Sequence, residues 1–161
     1  MTPEQLTTLG AYIATVPAWA ALPNNSDTAY AIAAELNQPA DPAWTVWRSD
    51  VARDDVSGEG FDWTQVDNTT VGKARIWEWM FNNQQRVINP SKINVRAGID
   101  EAWKGTAAML AVRAAIYIHC KRKANRAEKL FATGAGTDAS PSTMSFEGTM
   151  SYTEVQMAMG W

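Results

Sequence analysis

Cysteine and histidine are nearly missing from this 161-residue chain. One of each is present, Cys120 and His119, side by side. A single cysteine excludes an internal disulfide framework and a multi-cysteine zinc site. A single histidine excludes His-rich metal sites and leaves few routes to histidine-based catalysis. No apolar run reaches the roughly 18 residues that a membrane span requires. Residues 1–10 lack the basic start and apolar stretch of a signal peptide. The expectation is a soluble protein, made inside the cell and folded without cofactor or metal.

What the chain does have is core-forming material. Hydrophobic residues make up 46% and charged residues 19%, the balance of a globular chain and not of a disordered one. The length suggests a single domain, able to bury about two-thirds of its unfolded surface. There are eight tryptophans. Trp44, Trp47, Trp63, Trp77, Trp79 and Trp103 fall within one body and are expected mostly in its core. Eight is many for a small bundle, so Trp19 and Trp161 are assigned to an interface, where tryptophan is enriched.

Charge is unevenly spread. Residues 1–65 hold nine acids against two bases, and residues 96–130 hold eight bases against three acids. Two explanations fit: a two-signed surface that meets copies or partners head to tail, or neutralisation within the molecule.

Helix signals dominate the chain. Thr2, Pro3 and Gln5 form a capping box, followed by Leu6, Leu9, Ile13 and Val16 at helical spacing, and Pro17 stops the run. Ser26 or Asp27 caps a second helix, and Asp41-Pro42 starts a short third one through Trp47. A polar stretch from about Ser49 to Asn68 reads as the longest loop. Thr69 or Thr70 caps a helix with Ile76, Trp77 and Phe81, and Asn89-Pro90-Ser91 opens another that Gly105 ends. The run from Ala107 to about Lys123 is the most helix-prone, with Met109, Val112, Ile116 and Cys120 on one stripe. A short helix follows over 126–132. Ser151 to Glu154 is a capping box for a last helix.

The fold class expected from these signals is all-α: a bundle of five to seven helices over 1–132, with an extended C-terminal arm over 133–161 containing a possible short hairpin. The arm is rich in turn formers at 133–141. It carries Phe146, Met150, Tyr152, Met157 and Trp161 on few charges. That is too apolar for a linker and too short for its own core, so it packs on something, either a partner or its own subunit.

A search for chemistry finds little. His119 and Cys120 are neighbours about 100° apart on a helix, the wrong geometry for a base and nucleophile. Asp54, Asp55, Glu59 and Asp62 lack the alternating ligands of a calcium loop. Asp100 and Glu101 diverge on a helix. Gly134 to Thr137 has no Gly-Lys-Ser/Thr ending and reads as a hinge. Lys121, Arg122, Lys123, Arg126 and Lys129 form the one basic cluster. It suits phosphate contacts, an acidic protein surface or plain solvation. The residues assigned to partner binding are therefore Phe146, Met150, Tyr152, Met157 and Trp161 in the tail, with Arg122, Lys123 and Arg126 in the cluster. No catalytic, metal or cofactor residue is assigned.

Four segments together carry a family likeness. They are Pro23 to Asp27 with Ala29 to Leu36; Trp44 to Arg48; Asn89-Pro90-Ser91 with Val95 to Asp100; and Arg126 to Gly134 with Ser140-Pro141, Phe146-Glu147-Gly148 and Ser151-Tyr152. With these, nearly the whole chain resembles a family of small proteins from the structural-gene region of tailed bacteriophages and prophages. In build it is similar to helical head-tail connector, or adaptor, proteins. The resemblance implies a non-enzymatic virion protein at the head-tail junction, made in the host cytoplasm. It implies a ring, typically of about twelve copies, that joins the portal protein to a downstream neck or tail protein through the C-terminal arm. Identical neighbouring subunits are partners in such a ring, DNA is only passing cargo, and no membrane is involved. Other roles stay open: tail completion, a capsid-associated protein, an assembly chaperone, or a DNA-binding module using residues 121–129.

Overall fold

The structure, a computed structural model, describes residues 1–161. The first elements in the chain are α1 (Pro3–Thr15), α2 (Pro17–Ala20), α3 (Ser26–Leu36) and β1 (Thr45–Trp47). There follow β2 (Val51–Ala52), α4 (Arg53–Val56), a 3-10 helix (Trp63–Asn68), α5 (Val71–Met80), β3 (Val87–Ile88), α6 (Ile93–Ala102) and α7 (Ala107–His119). The chain ends with β4 (Lys121–Lys123), α8 (Arg126–Leu130), β5 (Ala132–Thr133), β6 (Thr143–Met144) and α9 (Tyr152–Met159).

These elements form two compact units. Residues 1–45 and 123–161 make the first, and residues 46–122 the second. The chain leaves the first unit through β1 and returns through β4, and these two strands pair. This division differs from a 1–132 body with a 133–161 arm: the second unit is an insertion, and the chain on both sides of it builds the first.

The first unit is made by capped helices. The Thr2 hydroxyl accepts the Gln5 N–H, and the Gln5 side chain accepts the Thr2 N–H at 2.8 Å, so two orphan donors of α1 are satisfied reciprocally. Asn25, one residue ahead of the expected cap, accepts the Thr28 N–H at 2.9 Å and starts α3. Asn125 with Glu128 and Ser151 with Glu154 form two more capping boxes, at α8 and α9. The apolar stripes meet in one core. Leu9, Ile13, Ile32, Leu36, Ala127 and Val155 are all wholly buried there. Each large aliphatic side chain so buried contributes about 1.5–3 kcal/mol.

Residues 133–161 are not an extended arm. Helix α9 packs on α1 and α3. At the closest approach the backbone of Ala158 leaves no room for a side chain on Gly10. The approach to α9 is stitched down residue by residue. Ser145 donates its N–H to the Phe131 carbonyl at 3.1 Å. Gly148 donates to Glu128 Oε1 at 2.9 Å, and Asn37 exchanges two hydrogen bonds with the backbone of Met150, at 2.7 and 2.9 Å. No hairpin forms around Glu147-Gly148, where Met144 to Phe146 and Thr149-Met150 suggest one; the strands that pair are β5 and β6, Ala132 opposite Met144, which closes the glycine-rich turn instead.

The second unit has its own core, with Val51, Val56, Ile99, Ile116 and Cys120 wholly buried around Trp103. Trp77 and Phe61 stand edge-to-face against Trp103, ring centroids 5.5 and 5.2 Å away. The stretch read as a long loop is folded: β2 pairs antiparallel with β3, Val51 opposite Ile88, and α4 and the 3-10 helix follow.

The all-α expectation is overturned. The chain is 52% helix and 11% strand, with ten helices and three small antiparallel sheets. Each strand is two or three residues long, shorter than one readable alternation of apolar and polar residues. Residues 44–47, expected as helix, and 121–123, expected as the end of α7, pair with each other instead. Ala124 N–H bonds the Trp44 carbonyl at 2.8 Å and Arg48 N–H bonds the Cys120 carbonyl at 2.9 Å, on either side of the β1–β4 pair.

Candidate interaction surfaces

The tail residues assigned to partner binding lie mostly within the first unit's own packing. Met150 is 3% exposed. Phe146 is half-buried against Phe131, ring centroids 5.7 Å apart. Tyr152 stacks on Tyr30 at 4.0 Å, and Trp161 packs half-buried on the same core. Met157 stays exposed, at 53%. Trp19, assigned to an interface, is a core residue whose indole N–H donates to Glu35 at 3.2 Å.

The basic cluster is also engaged at home. Lys123 Nζ lies 2.7 Å from Asp138 and 2.8 Å from the Thr45 hydroxyl. Arg126 lies 3.9 Å from Glu35. Lys129 sits over the Trp44 ring, 5.1 Å from its centroid, and donates to the Pro42 carbonyl at 3.2 Å. Lys121 sits over Trp47, and Arg122 is half-buried. The reason is β4 itself. A strand sends successive side chains to opposite faces, so these bases do not line up as on the expected helix end. The acidic first half answers Arg126 through Glu35, and Asp138, which pairs with Lys123, comes from the tail.

The remaining titratable groups serve structure. Asp55 pairs with Arg48 at 3.1 Å. Asp62 caps the 3-10 helix, and the Thr64 hydroxyl, then Gln65, hold its carboxyl below the usual range. Asp100 accepts the Tyr117 hydroxyl at 3.0 Å and lies 3.5 Å from Arg113, while Glu101 turns to Lys104. Burial, then the bond to Asp100, pushes the Tyr117 phenol up. Burial pushes the Cys120 thiol up to about 12, so it is a protonated core residue and not a nucleophile. His119 closes α7 with its ring 3.2 Å from the Glu59 carbonyl.

Two of the concave features of the second unit lie side by side. Phe61, Trp63, Trp77 and Trp103 line a slot of about 60 Å³, with Lys73 and Glu78 at its edge. That volume holds about two waters and no cofactor. Trp103 there has the one buried side-chain polar atom with no hydrogen-bond partner, its indole nitrogen. Beside it, an open groove of about 680 Å³ is lined by Arg53, Asp54, Glu78, Trp79, Asn82 and Arg86. Trp63 and Trp79 are exposed, at 58% and 77%. They are the exceptions to the expectation that most of the six body tryptophans are core, because a helical stripe cannot say which of several tryptophans points inward.

The second unit therefore holds most of the exposed large apolar side chains: Trp63, Val66, Val71, Trp79, Ile93, Leu110 and Ile118, against Leu22, Tyr30 and Met157 in the first. Exposure of this kind marks contact surfaces more than it marks catalysis. No helix is long and apolar enough to cross a membrane. No family model, curated protein or solved structure matches the chain.

Proposed function

We propose that this chain is a non-enzymatic virion protein of a tailed bacteriophage, a head-tail adaptor that forms a ring between the portal and the neck or tail. The observation that carries the reading is what the residues of the family likeness do in this fold. Asn25 in the first segment caps α3. In the last, Glu128 ties α8 to Gly148, Phe131 holds Phe146, and Ser151 caps α9. These residues cap and clamp, and they gather at no reaction centre. Recognisable residues that serve shape in this way suit a part that is assembled. The exposed apolar side chains of the second unit supply surface for neighbours.

With the tail folded onto its own unit, portal contact falls to exposed surface and not to a free arm. Electron microscopy of the virion neck tests the reading. The expected result is a ring of about twelve copies against the portal. Density elsewhere in the particle, or absence from it, overturns the adaptor role.

A further inference from the structure

Helix α7 carries one charged side chain, Arg113, which turns to Asp100 on its flank, and its outer face is uncharged. Met109, Val112 and Ile116 face the core of the second unit. Ala107, Leu110, Ala111, Ala114 and Ile118 are exposed, and none of them is charged. Leu110 and Ile118 are 40% and 69% exposed. A surface helix ordinarily turns charged residues to water, and an outer face without any is suited to being covered.

A second uncharged surface lies in the first unit. Between Glu4 and Asp27 the chain has no charged residue. On α1 and α2, Thr7, Ala11, Ala14 and Ala18 are exposed at helical spacing, with Leu22 just beyond. The hydroxyls of Thr7, Thr8 and Thr15 donate to the Pro3, Glu4 and Tyr12 carbonyls of their own helix. With those hydroxyls satisfied internally, methyl groups dominate what the face offers.

The two units that carry these faces are oppositely charged. The unit bearing α1 has eight acids to three bases, and the unit bearing α7 has eleven bases to nine acids. Glu4 precedes Thr7, Thr8 and Ala11 at helical spacing on the first face, and α7 is flanked by Lys104, paired with Glu101, and by Lys121, with Arg113 on its own flank paired with Asp100. Each of α1 and α7 has 13 residues, about 20 Å of helix. Both halves of an apolar contact, on units of opposite net charge, are thus present on one chain.

We propose that α7 of one copy packs on the α1–α2 face of the next copy. The contact is heterologous, one face against a different one, and its repetition closes rings or extends filaments. It deepens the virion-ring reading by naming the lateral contact between subunits.

Sedimentation velocity of the full chain over a concentration series tests this. The wild type is expected to form oligomers that grow with concentration. Ala114→Arg on α7 and Ala11→Arg on α1 replace exposed helical residues with a good helix former, so both variants keep the fold; helical circular dichroism checks this. Each variant alone is expected to be a monomer. An equal mixture is expected to give heterodimers and nothing larger, because one working pair of faces remains. Ala111→Arg and Ala14→Arg make an independent pair should either variant lose its helicity. A wild type that stays monomeric overturns the proposal. So does an Ala11→Arg variant that still self-associates, which would mean α7 pairs with α7, and so does a mixture that fails to combine. Neck microscopy separates this from the function: heterodimers from a protein missing from the neck leave the contact standing, and a neck ring of a chain without this contact leaves the adaptor role standing.

Discussion

Glu128 is 2% exposed, and burial of a carboxylate is costly unless its oxygens are satisfied. Here Oε2 accepts the Asn125 N–H at 3.1 Å and Oε1 accepts the Gly148 N–H at 2.9 Å. One side chain thus caps α8 and fastens the segment leading to α9. Glu128→Ala strands both donors, and a loss of about 3 kcal/mol is expected in urea unfolding. Glu128→Gln keeps one acceptor oxygen and should lose less. Equal stability of all three proteins would remove Glu128 from this role. Cys120 supplies a pH dependence. Its thiol titrates near 9 in an unfolded chain and at about 12 here, because burial penalises the thiolate. The folded state therefore holds the proton more tightly. This contribution to stability is intact below pH 9 and is lost progressively as pH rises from 9 towards 12. Thiol reagents at pH 8 should modify Cys120 only after denaturation, and rapid labelling of the native protein would contradict its burial.

Among the elements, what the sequence reveals follows from how local each cause is. The caps of α1, α5 and α9 are readable because cap and partner lie within three residues of one another. The inward stripe of α7 is readable for the same reason, since Met109, Val112, Ile116 and Cys120 are all buried as their spacing predicts. The strands are not readable. Lys121-Arg122-Lys123 has no strand propensity worth the name, and only pairing with β1, distant in sequence, makes it one. The docking of α9 is likewise non-local. Its apolar content is visible in the sequence, but its partner is not. Gly10 decides that docking, because a Cβ there collides with the Ala158 carbonyl. Gly10 lies inside α1, where alanine would ordinarily favour the helix by about 1 kcal/mol. Gly10→Ala is expected to destabilise instead, by about 1–3 kcal/mol, as the backbone of α9 is pushed away. Hydrogen exchange should then speed up in 150–159 before it does in α3. Uniform exchange, or a stabilised variant, would show that α9 yields without cost.

At the scale of the whole molecule, the two-unit build is the feature least accessible from sequence. Membership of a unit depends on which core a side chain joins. Val155 joins Leu9 and Ile13 across almost the full chain, while Val51 and Cys120 join Trp103. No composition shift marks residues 45 and 123, and the 133–141 turn, which looks like a boundary, lies inside the first unit. The candidate surfaces suffer the same blindness. Sequence finds apolar residues in the tail, but only the fold shows all but Met157 covered or half-covered and shows the outer face of α7 left bare. An insertion has a physical signature that can be tested. Its two ends must be close, and Lys123 Nζ lies 2.8 Å from the Thr45 hydroxyl. The Ala124 N–H to Trp44 carbonyl bond, the Ser142 N–H to Thr45 carbonyl bond and the Lys123–Asp138 pair all lie on the first unit's side. Joining Thr45 to Lys123 through a short glycine linker, in place of 46–122, should therefore leave a chain that keeps its own core of Leu9, Ile13, Ile32, Leu36 and Val155. A short linker adds little closure entropy, because the cost grows only slowly with loop length. The expected outcome is a helical circular dichroism spectrum and a single cooperative thermal transition. A non-cooperative melt would mean that the first unit depends on the insertion for its fold.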